Sequence, residues 1–121
     1  MEQITHARVK DCFRDEEMVY FVVATGELGK AVGKGGMMIK RVQEQIGKRV
    51  RVIEYRDSAV DFVKNVIYPL TVEEVKESDG KIVLKDSSKK TKSLLIGRNA
   101  KNLMFINKAV QRFFDAEVQV E

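Results

Sequence analysis

The sequence predicts an α+β protein built as two small units, each a three-stranded sheet packed on helices. Two observations lead there: an order of strand and helix signals that occurs twice, and a glycine-bearing break between paired helices at matched positions in both copies. A third sets the size. At 121 residues the chain has room for one ordinary domain or two very small ones, and the repeat selects two, residues 1–57 and 58–121.

The elements follow in chain order. Ile4 to Phe13 places Thr5, Ala7, Val9 and Phe13 on one face with Asp11 breaking the alternation, and the β-rich run Met18 to Ala24 follows a charged turn. Two such runs around a short polar turn read as an antiparallel hairpin. Thr25 opens a short helix carrying Leu28, Ala31 and Val32. After the glycines Met38, Ile39, Val42 and Ile46 share a helical face that Gly47 ends, and Arg49 to Tyr55 alternates as a strand.

Asp57 or Ser58 then caps an amphipathic helix over Ala59 to Ile67, stopped before Pro69, the only proline. Strands are predicted at Leu70–Lys76 and Lys81–Lys85, joined through Asp79-Gly80, a strong hairpin signal. A helix over Lys89–Ile96, a break at Gly97–Ala100, a longer helix marked by Leu103, Ile106, Val110 and Phe113, and a strand at Glu117–Val120 complete the chain. Sliding the sequence by 64 residues lays Gly33 on Gly97, Lys34 on Arg98, Gly36 on Ala100, Ile39 on Leu103 and Val42 on Ile106. Units of this size bury only about 60% of their unfolded surface, so the Ser58 to Tyr68 helix is expected to pack on both.

Charge is unevenly placed. Lys30 to Arg56 holds eight basic and two acidic residues, Lys81 to Arg112 nine and one, and the remainder is acidic. Two positive segments suit a polyanion, although Lys40, Arg41, Lys48 and Arg49 read equally as solvated surface, and Lys89, Lys90 and Lys92 as a soluble loop. One cysteine, Cys12, excludes an internal disulfide, and one histidine, His6, leaves no Cys/His cluster at metal-ligand spacing. Neither an apolar signal region nor a spanning run is present, so a cytoplasmic protein is expected. Met37, Met38 and Met104 read as core fillers. Nothing points to a catalytic residue, a metal or a cofactor, and the expectation is a non-enzyme.

The stretch Ala31 to Lys40, AVGKGGMMIK, carries the chemistry. No glycine stands five positions before Gly33 and Gly33-Lys34 is followed by Gly35, so it is not a Walker loop; Met38 occupies the third glycine of a dinucleotide fingerprint. What fits is Gly-x-x-Gly, Gly33-Lys34-Gly35-Gly36, between two helices and before a strand. With VGKGG at Val32 to Gly36 and IGRNA at Ile96 to Ala100, the sequence resembles tandem KH domains of the type II order α-β-β-α-α-β, the first lacking its leading helix. Two such units in so short a chain are similar to the archaeal short form of the NusA family of transcription termination and antitermination factors. Longer bacterial members carry a polymerase-binding domain and an OB-type domain before their KH pair, for which this chain has no room.

The resemblance implies a monomer that binds single-stranded RNA, with RNA polymerase or a transcription complex as further partner. A KH loop clamps the backbone of about four nucleotides, and glycine lets phosphates approach main-chain N–H groups at a helix start. Gly33, Lys34, Gly35 and Gly36 are the expected clamp, with Lys30, Lys40 and Arg41 on neighbouring phosphates. Val32, Ile39 and Val52 are expected to line a base groove, and Arg51 to reach a base edge or phosphate. The second loop, Gly97, Arg98, Asn99 and Ala100 with Lys101, departs from the pattern and is expected to bind more weakly. Two other readings remain open: a protein-interaction module on a KH shell, and a ribosome-assembly or translation factor using the same loop.

Overall fold

A computed structural model describes residues 2–121. The chain divides into two compact units, residues 1–56 and 57–121. Each has a three-stranded sheet and three helices in the order α-β-β-α-α-β, the architecture of two tandem type II KH domains.

The first unit runs α1 (Glu2–Thr5), β1 (Val9–Arg14), β2 (Met18–Val23), α2 (Leu28–Val32), α3 (Met37–Ile46) and β3 (Arg49–Glu54). The hairpin is antiparallel and β3 joins β2 in parallel, giving the order β1-β2-β3. Asp15 shapes the hairpin turn: its Oδ1 accepts the N–H groups of Glu17 and Met18, each at 2.8 Å. One sheet face carries Val19, Phe21 and Val50, which pack with Val42 of α3, while Val23 packs with Ala7 and with Ala31 of α2. Val9 and Val52 flank both clusters.

The second unit runs α4 (Ala59–Ile67), β4 (Glu74–Ser78), β5 (Lys81–Lys85), α5 (Lys89–Ile96), α6 (Lys101–Gln111) and β6 (Glu117–Val120), with sheet order β4-β5-β6 and the same mix of pairings. Ser58 caps α4 by accepting the Asp61 N–H, and Ser88 caps α5 by accepting that of Thr91. Asp79 and Gly80 both have positive φ between the paired Ser78 and Lys81, the two-residue turn whose twist suits a hairpin. Phe62 of α4 is fully buried, with its ring edge-on to Phe113 at 5.4 Å.

Several expectations need correction. Residues 2–5 form a helical turn rather than the start of a strand, His6 leaves it with φ 59°, and β1 begins only at Val9; the first unit therefore has its leading helix, at four residues. Thr25 does not cap α2. Its hydroxyl donates to the Tyr55 carbonyl at 2.6 Å, tying the end of β3 to the turn before α2. The strand expected from Leu70 starts at Glu74. Met37 and Met104 are 59% and 66% exposed, so neither fills a core. Ile46 is 41% exposed although its counterpart Val110 is buried, because nine-residue α4 packs on α6 where the first unit has one turn.

Candidate nucleic-acid interface

Both helix pairs are joined by a four-residue loop containing one turn of 3-10 helix, and the two backbones are nearly superposable in their angles. Gly33 has φ 74°, ψ 171° and Gly97 φ 74°, ψ 172°, a region reserved for glycine. Space enforces the same choice. A Cβ on Gly33 would stand 2.4 Å from Met38 Cγ and 2.9 Å from its backbone nitrogen; one on Gly97 would stand 2.8 Å from both the Cβ and the nitrogen of Asn102. The loop is thus closed onto the first turn of the following helix. Gly36 and Ala100 donate back to the carbonyls of Gly33 and Gly97, each at 3.2 Å.

The remaining positions are left-handed as well: Gly35 φ 63° and Gly36 φ 77°, against Asn99 φ 57° and Ala100 φ 60°. In the first loop a Cβ at Gly35 or Gly36 would meet nothing within 4 Å. These two glycines therefore serve no internal packing; they leave the loop's outer side bare. In the second loop Asn99 and Ala100 hold the same angles with side chains, at about 1–2 kcal/mol for an alanine.

The cations differ more than the backbone. Lys34 is exposed at the tip, with exposed Lys40 and Arg41 on the first turns of α3. Lys30, itself exposed, pairs with the largely covered Glu27 carboxylate at 3.2 Å. Lys40 also borders an open depression of about 410 Å³ with Gln43, Glu44, Lys48 and Arg49, where three cations outnumber one carboxylate between α3 and the start of β3. The first four N–H groups of a helix lack intrahelical partners and its N-terminus carries partial positive charge, so α3 adds to the field at the tip.

Val32 and Ile39 are half-buried beside the first loop, and Val52 on β3 faces the same helices. Arg51 points to the opposite side of the sheet from Val50 and Val52, which face the helices, because strand neighbours alternate faces. Arg51 pairs in register with Tyr20, whose ring stacks on Phe13 at 5.1 Å and whose hydroxyl donates to Asp15 Oδ2 at 3.1 Å. Burial lowers the Arg51 pKa and, with the Asp15 hydrogen bond, raises that of Tyr20 to about 12. Around the second loop Arg98, Asn99 and Lys101 are exposed, Gly97 and Ala100 half-buried.

Comparison with known proteins assigns the family. The family model for the KH domain matches residues 1–80, which span the whole first unit. A protein of Halococcus morrhuae described as a probable transcription termination protein NusA is 31% identical over 118 residues, covering 96% of this chain and 85% of the relative. This chain belongs to the NusA-like branch of the KH family. A relative described in the same words, from Methanococcus vannielii, is 33% identical over 105 residues, 84% of this chain and 61% of that one. The crystal structure of APE1850 matches the fold with a TM-score of 0.76 at 32% identity, over 98% of this chain and 90% of that one.

Sequence reasoning missed one feature of the KH loops. Asn102 stands where the first unit has Met38, and its Nδ2 donates to the carbonyls of Leu94 and Leu95 at 3.1 and 2.9 Å, capping the C-terminus of α5 from the next helix. An asparagine one position into a helix carries no local signal of that role. Among the described residues no cluster of His, Cys, Asp or Glu could hold a metal ion, and no helix is long and apolar enough to cross a membrane.

Proposed function

We propose that this protein is an RNA-binding transcription factor of the termination and antitermination class, which captures an extended single strand on its first KH loop. The observation that carries the proposal is the bare outer side of that loop. Gly35 and Gly36 have open space where side chains would project, at the start of a ten-residue helix and beside Lys34. A phosphate can therefore reach the main chain, where N–H groups and the helix end favour an anion. Gly33 sets the loop's closure, Lys34 supplies a charge-assisted contact at the tip, and Lys30, Lys40 and Arg41 stand along the strand's path. Val32, Ile39 and Val52 offer an apolar wall to the bases. Arg51, in register with Tyr20 on the opposite side of the sheet, is left out of the clamp.

The relatives' description as probable transcription termination proteins supports a nascent transcript as the strand and the transcribing complex as the partner. The second KH loop, Gly97 to Lys101, adds a second contact that raises affinity through effective concentration when one strand meets both. No cofactor is required. The test is the double variant Lys34→Asp with Gly35→Asp, assayed for binding to single-stranded RNA. Both sites are exposed and a Cβ at Gly35 meets nothing; aspartate at φ 63° adds at most about 1–2 kcal/mol of strain, so urea unfolding of the variant accompanies the assay. Binding is expected to fall at least about tenfold, in line with lost phosphate contacts; binding at the original strength refutes the clamp.

A further inference from the structure

The two loops reach one backbone by different means. In the first, Gly35 and Gly36 take left-handed angles that glycine adopts freely. In the second, Asn99 and Ala100 hold φ 57° and 60° with side chains attached, and such angles persist only where the surroundings over-determine them. Something must hold the second loop.

The holding group is an amide on the next helix. Asn102 Nδ2 donates to the carbonyls of Leu94 and Leu95 at 3.1 and 2.9 Å, in the last turn of α5, where carbonyls lack intrahelical partners. The same residue also closes the loop sterically, since a Cβ added to Gly97 would stand 2.8 Å from the Asn102 Cβ and nitrogen. Asn102 therefore ties the helix before the loop to the helix after it. At the 64-residue offset the first unit has Met38, whose thioether donates nothing. A loop of glycines does without that tie. We infer that Asn102 is the positioning residue of the second loop: its amide bolts α5 to α6 and keeps Asn99 and Ala100 in the shape that glycine supplies in the first loop. The second loop is then rigid and ready-shaped for an anion beside exposed Arg98 and Lys101, whereas the first adapts to what it binds. This consequence for binding rests on the reading of the second loop as an RNA contact.

Amide nitrogen relaxation of the full chain reads both loops directly. Order parameters at Asn99 and Ala100 are expected near about 0.85, with those at Gly35 and Gly36 lower. Asn102→Ala keeps the Cβ that meets Gly97 and removes the amide. It is expected to bring Asn99 and Ala100 below about 0.6, and Asn102→Met, the first unit's own residue, to do the same. A plain helix cap would loosen the end of α5 and leave the loop rigid. Binding is read in a chain whose first loop is disabled by Lys34→Asp with Gly35→Asp, using an unpaired ribo-oligonucleotide of about eight nucleotides, twice the span of one clamp. There Asn102→Ala is expected to weaken binding at least about threefold, as for lost preorganisation, and added Asn99→Gly with Ala100→Gly to restore it. Unchanged order parameters at Asn99 and Ala100 in both variants, or a binding loss that the glycines leave in place, overturn the inference. If the chain with its first loop disabled binds no RNA, the second loop's RNA contact fails instead, and the order parameters alone decide the role of Asn102.

Discussion

Gly33 and Gly97 occupy the same corner of conformational space to within a degree, and each is pressed against the first turn of the next helix. Three residues later Gly36 and Ala100 again share an angle, but one is bare and the other carries a methyl group. The difference separates two jobs that a GxxG motif usually merges. The first glycine is structural, because nothing else fits. The later positions are open, and glycine there avoids the left-handed strain that Asn99 and Ala100 accept in the second loop.

The largest expected effect breaks the comparison where the loops are alike. Gly33→Ala and Gly97→Ala should each cost roughly 2–4 kcal/mol, combining steric overlap with strain in a glycine-only region. Urea unfolding of each variant checks this; if one is tolerated and the other is not, the twin geometry is wrong. A smaller effect sharpens the comparison where the loops differ. Gly36→Ala should cost about 1 kcal/mol, and Ala100→Gly should change stability by less than about 1 kcal/mol, since relief of left-handed strain is offset by added freedom in the unfolded chain.

The smallest effect concerns the far face of the first sheet. Tyr20 holds its proton to about 12, through burial and its bond to Asp15, whereas an unfolded tyrosine ionises near 10. Its contribution is therefore intact below about pH 10 and is lost as pH rises from about 10 to about 12. Its counterpart in the second sheet, facing Gln119 as Tyr20 faces Arg51, is Val83, which cannot titrate. Chemical unfolding across that window should show Tyr20→Phe losing less stability with rising pH than the unaltered chain. Parallel curves would contradict the assignment.

Much of this was legible in the chain because the signals were local and repeated. Asp79-Gly80, the Ser58 cap, the glycine breaks and the 64-residue offset each name an element without tertiary information. What escaped reading was non-local or too short. A four-residue helix has no period, so the sequence pattern assigns its last two residues to the edge of a strand that starts at Ile4. Thr25 resembles a cap until β3 brings the Tyr55 carbonyl within reach. The resemblance sends Arg51 to a base edge or phosphate, whereas its place on β3, alternating with Val50 and Val52 and in register with Tyr20, shows only in the sheet. The exposed Met37 and Met104 sit in helices whose apolar content suggested a core, and only the packing shows which face is covered.

The central claim is that the first loop binds through charge at bare backbone. Its most direct test is the slope of log affinity against log salt for single-stranded RNA, between about 50 and 200 mM salt. It is measured for the unaltered chain, for Lys34→Asp with Gly35→Asp, and for Arg98→Asp with Asn99→Asp. The first variant should both weaken binding and flatten the slope by about one unit or more, while the second weakens binding less and flattens it less. A first-loop variant that keeps the original affinity and slope would contradict the claim.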